Sequence, residues 1–323
     1  MSIGERRSVR RPGSPGGAGV IALEAVASAA LCLVLAGGAL APAALGAEEL
    51  PPRFRGAVAD FLAGNYKECQ IAFGRAAAEA PRTGLAARAA YGAACCAALR
   101  NDADGGFEAL GLALANGFRD LERALVDPRL ETLRADARWF RFVTLTEERL
   151  QAHQKTLDPD LLRLYLEQRQ ERGAPRSAAL VERAVARRRE AWALVEQGRV
   201  KQADDAFHAA ALLVESDRPA EVERAAELAR QALSRDPDLL AATPLVATAV
   251  DRGQMLIGKP QKFGTQLVEV EGKWQVYDVD PAVTDAERAE WGLPPLAEAV
   301  ARAGELNRPP TPPTPPVAPG SKP

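Results

Sequence analysis

The sequence predicts a mainly α-helical protein, in which a short array of helical hairpins packs on a second helical domain that carries one small β-hairpin. Apolar residues make up 47% of the 323 positions and recur every three to four residues through most of the chain. Aromatic residues make up only 5%, so the helices are expected to pack closely through Ala, Leu and Val. The helical period stops at 257–266, where two glycines and a proline precede a short alternating pattern.

Residues 1–47 are predicted to be a secretory signal peptide. Four arginines lie between positions 6 and 11, an apolar run extends from about Ala25 to Leu45, and small residues end at Ala47 before two glutamates. This order predicts cleavage near Ala47 and a periplasmic or secreted protein. The alternative is an uncleaved inner-membrane anchor, because the run approaches the ~20 residues that a membrane span needs. A membrane is an expected partner only in that case.

Charge and cysteine content exclude several classes of protein. The net charge is −2 and no basic block is present, which argues against a nucleic-acid partner. Three cysteines come after the predicted cleavage site, and Cys69 is placed to pair with Cys95 or Cys96 on the neighbouring predicted helix. The alternative is that all three are small buried residues. With two histidines and no Cys/His ligand spacing, no metal and no cofactor are expected.

The first predicted domain, 54–150, is a series of helices. Gly64 ends one helix and Pro81 closes the next. One face of that second helix carries Tyr66, Cys69, Phe73, Ala76 and Ala80. A second unit extends from Tyr91 to Gly117. This spacing resembles the tetratricopeptide repeat, a stacked pair of antiparallel helices, and the resemblance implies a protein or peptide partner. Since two units are too few to be stable alone, we expect the array to dock on the second domain.

The second predicted domain, 158–307, begins with five helices. They are Leu161–Arg172, Ala179–Gln197, Gln202–Val214, Pro219–Leu233 and Thr243–Ile257. A β-hairpin at 265–279 comes next, with strands Thr265–Val270 and Trp274–Val279 joined by a tight turn at Glu271–Gly272. An isolated hairpin is marginal in water. We therefore expect it to pack on the helices through Val268, Val270, Trp274 and Val276.

The chain closes with a helix that ends at Leu306 and a tail, 308–323, in which proline recurs. Proline fixes φ and removes amide donors, so the tail is predicted to be an extended, disordered spacer. The alternative is a ligand for a proline-reading partner.

The second domain also resembles an uncharacterised bacterial domain family of exported and membrane-associated proteins. Its marks are Phe207–Ala210, Asp251-Arg252, the loop Gly258–Gln266, Asp285–Arg288, Gly292–Leu296 and Glu305–Asn307. The most specific is the run Gly-Lys-Pro-Gln-x-aromatic-Gly-Thr-Gln. Relatives tend to place a Gln-His pair where this chain has Glu215-Ser216. The resemblance implies a set of positions and no mechanism.

Each candidate residue has a functional and a structural interpretation. His208 is a possible general base or a buried helix residue. Asp251 and Arg252 face a polar ligand together or charge a helix end. Gly258 and Gly264 admit a ligand close to the backbone or only shape the loop. The candidate ligand or structural site therefore comprises His208, Asp251, Arg252, Lys259, Gln261, Gly264, Thr265 and Gln266.

None of the catalytic sequence motifs for serine hydrolases, nucleotide binding or zinc proteases occurs. We therefore expect a non-enzymatic binding or scaffold protein of the bacterial cell envelope that interacts through its helical repeats. The alternative is a hydrolase-like envelope enzyme in which His208, Asp251, Arg252 and Gln266 converge on one cleft near the Gly258–Gln266 loop. A third possibility is that the loop only joins a helix to the hairpin. Contact between His208 and the loop separates these hypotheses, because acid–base catalysis needs hydrogen-bond reach.

Overall fold

The structure is a computed structural model that describes residues 52–308, apart from 173, 175 and 176, together with the backbone of Val20–Ala22. The rest of the predicted signal peptide and the tail from 309 onward lie outside the described residues. The elements are β1 (Val20–Ala22), α1 (Pro52–Leu62), α2 (Tyr66–Ala78), α3 (Thr83–Leu99), α4 (Ala103–Ala115), α5 (Leu121–Val126), a 3₁₀ turn (Pro128–Leu130), α6 (Glu131–Arg134), α7 (Arg138–Gln154), α8 (Pro159–Gln170), α9 (Ala178–Glu196), α10 (Ala203–Leu213), α11 (Pro219–Arg235), α12 (Ala242–Leu256), β2 (Gln266–Val270), β3 (Lys273–Val276), α13 (Asp285–Glu290) and α14 (Leu296–Leu306).

This order of elements confirms the predicted mainly α fold with one small hairpin. We call residues 52–154, which contain α1–α7, the array, and residues 158–308 the second domain. Each part has its own apolar core. Within the part of the chain that the structure describes, every helix is too short or too polar to cross a membrane.

The array is built on α3, which packs between α2 and α4. Thirteen of the seventeen residues of α3 are buried, most of them alanine, so the neighbouring helices approach closely. The Phe73 ring of α2 lies over Gly92, where an added Cβ would be only 3.1 Å from the ring, and it meets Phe54 of α1 edge-on at 5.2 Å. Phe73 thus fills the space that the small residues of α3 leave open.

A disulfide between Cys69 and Cys96 links α2 to α3. Their Cα atoms are 6.1 Å apart, and Cys95 is a buried thiol outside the disulfide. Of the alternatives that the sequence left open, the structure therefore has the pairing of Cys69 with Cys96.

The second domain is organised around α10, which contacts α8, α9 and α11. Eight of its eleven residues are buried. The Asp205 carboxylate, itself buried, accepts hydrogen bonds from the amides of Asp158, Lys201 and Gln202. One side chain therefore caps the start of α10 and holds the chain as it enters α8.

The hairpin turn forms where the sequence predicts it. Glu271 and Gly272 have φ values of +52° and +76°, which is the pattern of a type I′ turn. Strand β3 ends at Val276 rather than Val279. In the uncleaved chain, the backbone of β1, which lies within the predicted signal peptide, pairs antiparallel with the other edge of β2, so the sheet has three strands in the order β1-β2-β3.

The predicted packing face of the hairpin is wrong. Leu267 pairs with Val276 and Val270 pairs with Lys273. Directly paired residues share a face, so Val268 and Val270 lie on the face opposite to Trp274 and Val276. Leu267, which the prediction omitted, is buried, whereas Val270 is 44% exposed.

The array docks on the second domain through ion pairs. Arg82 and Arg88 pair with Asp238, Arg119 pairs with Asp204, and His153 forms a hydrogen bond with the same Asp204 carboxylate. At Gly84 an added Cβ would lie 2.4 Å from Oδ2 of Asp238, so only glycine leaves room for this contact.

Candidate functional site

The loop Gly258–Gln266 leaves the end of α12 and returns to start β2. Gly258, with φ of +70°, comes directly after the last helical turn, and the Lys259 amide donates to the Gln254 carbonyl at 3.0 Å. This is a glycine-terminated helix end of the Schellman type. The Lys259 side chain is exposed.

Asp251, in the last turns of α12, holds the loop. Its Oδ1 accepts hydrogen bonds from the amides of Lys262 and Phe263, each at 2.8 Å. Its Oδ2 accepts from the Thr265 amide at 2.9 Å and from the Thr265 hydroxyl at 2.8 Å. The carboxylate is fully buried. Burial raises the pKa of Asp251, and these four donors act in the opposite direction.

The side chain of Gln261 takes the place of a neighbouring strand's peptide group. Its carboxamide accepts from the Gln266 amide at 2.8 Å and donates to the Gln266 carbonyl at 3.1 Å, as a peptide group does in an antiparallel pair. It also donates to the Tyr277 carbonyl at 2.8 Å. Gln261 is fully buried, and its carboxamide ties the loop to the backbone of Gln266 and Tyr277.

Gly264 is the tightest point of the loop. Its φ is +76°, and an added Cβ would lie 2.5 Å from Leu296 Cδ1 and 2.9 Å from Arg288 Nη1. The Arg288 side chain is buried, and its Nε donates to the Pro294 carbonyl at 2.9 Å. Burial lowers the pKa of Arg288. Phe263 packs on Trp291 at 5.2 Å and completes a small core beneath the loop.

Gln266 lies at the start of β2 and is fully buried. Its Nε2 donates to Thr265 Oγ1 at 3.1 Å and to the Thr248 carbonyl at 3.4 Å, whereas its Oε1 has no hydrogen-bond partner among the described residues. Asp251, Gln261, Thr265 and Gln266 therefore form one buried network that is directed inward.

Arg252 belongs to a different place. Its Nε donates to the Ser216 carbonyl at 3.1 Å, and its guanidinium pairs with Asp217 in the connection between α10 and α11. Burial lowers the pKa of Arg252. Asp251 and Arg252 are adjacent in the helix but point apart, because consecutive helical residues are rotated by about 100°. Their described contacts do not bring them to one ligand.

His208 has a third set of neighbours. Its ring stacks on Tyr165 of α8 at 4.3 Å, next to Phe207 at 5.9 Å. It is 6% exposed, its Nδ1 has no hydrogen-bond partner within residues 52–308 as described, and burial lowers its pKa to about 4. In the described part of the chain, no hydrogen bond or ring contact joins His208 to Asp251 or to the loop. A general base next to Asp251 would need such a contact.

A cleft between the array and the second domain was not anticipated from the sequence. Its volume is about 720 Å³, and the polar side chains along it include Arg82, Arg119, His153, Lys201, Asp204 and Asp238. Arg82 and Asp238 are separated by more than 150 positions, so no local pattern predicts their meeting. No three His, Cys, Asp or Glu side chains of residues 52–308, as far as these are described, are grouped to hold a metal ion.

Comparison with protein families, with curated proteins and with solved structures finds no match to this chain. The two resemblances drawn from its residues therefore stay predictions.

Proposed function

We propose that this chain is an exported, non-enzymatic binding or scaffold protein of the bacterial cell envelope, and that it engages a protein or peptide through its helical array. The inward direction of the loop network is the observation that carries the proposal. The four hydrogen bonds that the Asp251 carboxylate accepts all come from the loop itself. This carboxylate therefore has no free lone pair aimed at a substrate.

The Cys69–Cys96 disulfide supports export. Structural disulfides persist in oxidising compartments and are rare in the cytosol. The order of residues 1–47, which is that of a signal peptide, also indicates export. Fractionation of the producing cell, with N-terminal sequencing of the protein, tests this part of the proposal. A first residue near Glu48 in the periplasmic or secreted fraction is expected. A cytosolic protein that starts at Met1 would contradict export.

The hydrolase alternative has less support from the geometry. It needs His208, Asp251, Arg252 and Gln266 in one cleft, but their described contacts lie in three separate places. Within the described chain, the neutral, buried ring of His208 also lacks a carboxylate at hydrogen-bond distance that would orient it as a base.

Capture followed by cross-linking tests the binding function. The purified exported protein is incubated with envelope extract, the retained protein is identified, and the complex is rebuilt from two purified components. We expect a measurable affinity and cross-links that map to residues 52–154. Cross-links confined to the Gly258–Gln266 loop would contradict binding through the array. Turnover of a defined substrate by the purified chain, lost on His208→Ala with the fold intact, would establish the enzyme instead.

A further inference from the structure

A pocket at the start of α3 holds a carboxylate that comes from the other domain. Asp238 lies in the connection between α11 and α12, where its amide donates to Asp236 Oδ1 at 3.0 Å. This turn presents the Asp238 carboxylate, which is largely buried, to Arg82 and Arg88 of the array. Gly84 forms the floor, because any side chain there would collide with the carboxylate.

The ion pairs of Asp238 with the two arginines are long, although its carboxylate lies close against Gly84. Two guanidinium groups converge on its carboxylate. The distances are 3.3 Å from Arg88 Nη1 and 3.3 to 3.4 Å from Arg82, longer than the ~2.7–2.9 Å of a strong charge-assisted hydrogen bond. Other pairs in this protein are tighter, such as Arg129 with Asp127 at 2.5 to 2.7 Å. A carboxylate on a more adaptable chain could therefore approach these guanidinium groups more closely than Asp238 does.

Arg88 is a mostly buried cation that needs an anion as partner. Its side chain is mostly buried, and its guanidinium lies 5.6 Å from the centre of the Phe54 ring. A buried guanidinium needs a counter-charge, since an unpaired buried charge is costly. Burial lowers the pKa of Arg88, and Asp238 opposes that effect.

The cleft gives access to this pocket. Arg82, Gly84 and Asp238 all line it, and its volume of about 720 Å³ lies within the ~300–1,000 Å³ range of ligand sites. Further along the cleft, Lys201 is exposed, and Arg235 donates to the carbonyls of Val200 and Gln202. An acidic segment lying in the cleft would meet these cations, together with the carboxylates of Asp204 and Asp236, which also line it.

We propose that the Arg82–Arg88 pocket is the site at which the array binds a carboxylate of an acidic partner peptide, and that Asp238 occupies it as an autoinhibitory stand-in. The proposal rests on the proposed binding function and names its site and partner chemistry. The partner's carboxylate displaces Asp238, and the ion pair that joins the two domains there is exchanged for one with the partner.

Removing the stand-in tests the idea. The probe is a fluorescein-labelled hexapeptide, Gly-Ser-Ala-Glu-Asp-Glu, with a free C-terminal carboxylate. Its binding to the purified exported protein is followed by fluorescence anisotropy at low salt. Asp238→Asn keeps the shape and removes the charge. If Asp238 fills the pocket more than ~90% of the time, the variant binds the probe at least tenfold more tightly.

Two further variants locate the effect. Asp204→Asn removes a different interdomain ion pair and leaves Asp238 in place, so the affinity should change less than about threefold. Arg88→Gln in the Asp238→Asn background should lose at least about tenfold, and circular dichroism with thermal melting shows whether it is folded. Arg82→Gln serves as a second, more exposed test of the same pocket if Arg88→Gln does not fold.

The outcomes separate the two proposals. An equal gain for Asp204→Asn and Asp238→Asn would mean that loosening the domains is enough, and would overturn the stand-in role. No gain for Asp238→Asn would overturn it too. If array cross-links to an envelope protein persist in either case, the binding function stands while its assignment to this pocket fails.

Discussion

Replacement of Gly264 by alanine tests whether the Gly258–Gln266 loop is as tightly held as its contacts indicate. The change has two costs. The φ of +76° lies in the left-handed region, which costs a residue with a Cβ about 1 kcal/mol. The new Cβ would also lie 2.5 Å from Leu296 Cδ1, and overpacking of this kind costs about 1–3 kcal/mol. We therefore expect the free energy of unfolding to fall by about 2–4 kcal/mol.

Gly258 provides a matched control in the same loop. Its φ is +70°, and no atom lies within 4 Å of the position of an added Cβ. Gly258→Ala should therefore lose only the conformational part, about 1 kcal/mol. Urea unfolding of the two variants measures both values, and their difference reports the steric contacts with Leu296 and Arg288.

A double-mutant cycle sharpens the test. Leu296→Ala removes the group that the new Cβ meets, so combining it with Gly264→Ala should cost less than the sum of the two single changes. If Gly264→Ala and Gly258→Ala are equally stable, or if the two changes at 264 and 296 add, the loop is not packed against Leu296. The network around Asp251 would then not be the closed, inward-directed one that its contacts indicate.

Three more perturbations have defined outcomes. Because the folded pKa of His208 is about 4, below the ~6.5 of the unfolded chain, its neutral form stabilises the fold above pH 6.5 by up to ~3 kcal/mol, and this is lost as pH falls through 4. Urea unfolding at several pH values should show that His208→Gln removes this slope and His153→Gln keeps it. Glu271→Asn suits the type I′ turn and should raise the unfolding free energy by about 0.5–1 kcal/mol in thermal melts. Cys69→Ser removes the disulfide to Cys96, which is 27 positions away. The free energy of unfolding in urea should then fall by ~3 kcal/mol.

Each of these has a contrary result. An unchanged pH slope in His208→Gln would assign acid sensitivity to other groups. A loss of stability in Glu271→Asn, with Glu269→Asn in the adjacent strand as control, would mean that the turn is not of the primed type. Free thiols at Cys69 and Cys96 in a mass spectrum of the non-reduced protein would remove the basis of the third expectation.

The helices could be predicted closely because their limits are local. Helix α9 was expected at Ala179–Gln197 and spans Ala178–Glu196, and α11 was expected at Pro219–Leu233 and spans Pro219–Arg235. In both, an apolar period and a glycine or proline near the boundary carry the information. The hairpin turn was predictable for the same reason, since Gly272 accepts the positive φ that the turn needs.

The candidate site was harder to predict because it depends on the directions in which the side chains point. The sequence places Asp251 beside Arg252 and invites a shared role, but neighbouring helix positions face different sides. Asp251 therefore turns to the loop while Arg252 turns to Ser216. His208 depends on its partner Tyr165, which lies on a different helix, and nothing in either local sequence records that stack.

Saturation of polar groups distinguishes the two places on this molecule where function was sought. In the Gly258–Gln266 loop, nearby backbone groups and the Thr265 hydroxyl occupy the oxygens of Asp251, and backbone groups occupy the carboxamide of Gln261, so the network stabilises a shape and offers a ligand little. At the domain boundary, Arg82 and Arg88 meet the Asp238 carboxylate at 3.3 Å beside an open cleft. An ion pair that borders an open cleft is one that an incoming anion is able to exchange with. The most specific sequence run is thus best explained by folding, and the less conspicuous Asp238 by binding.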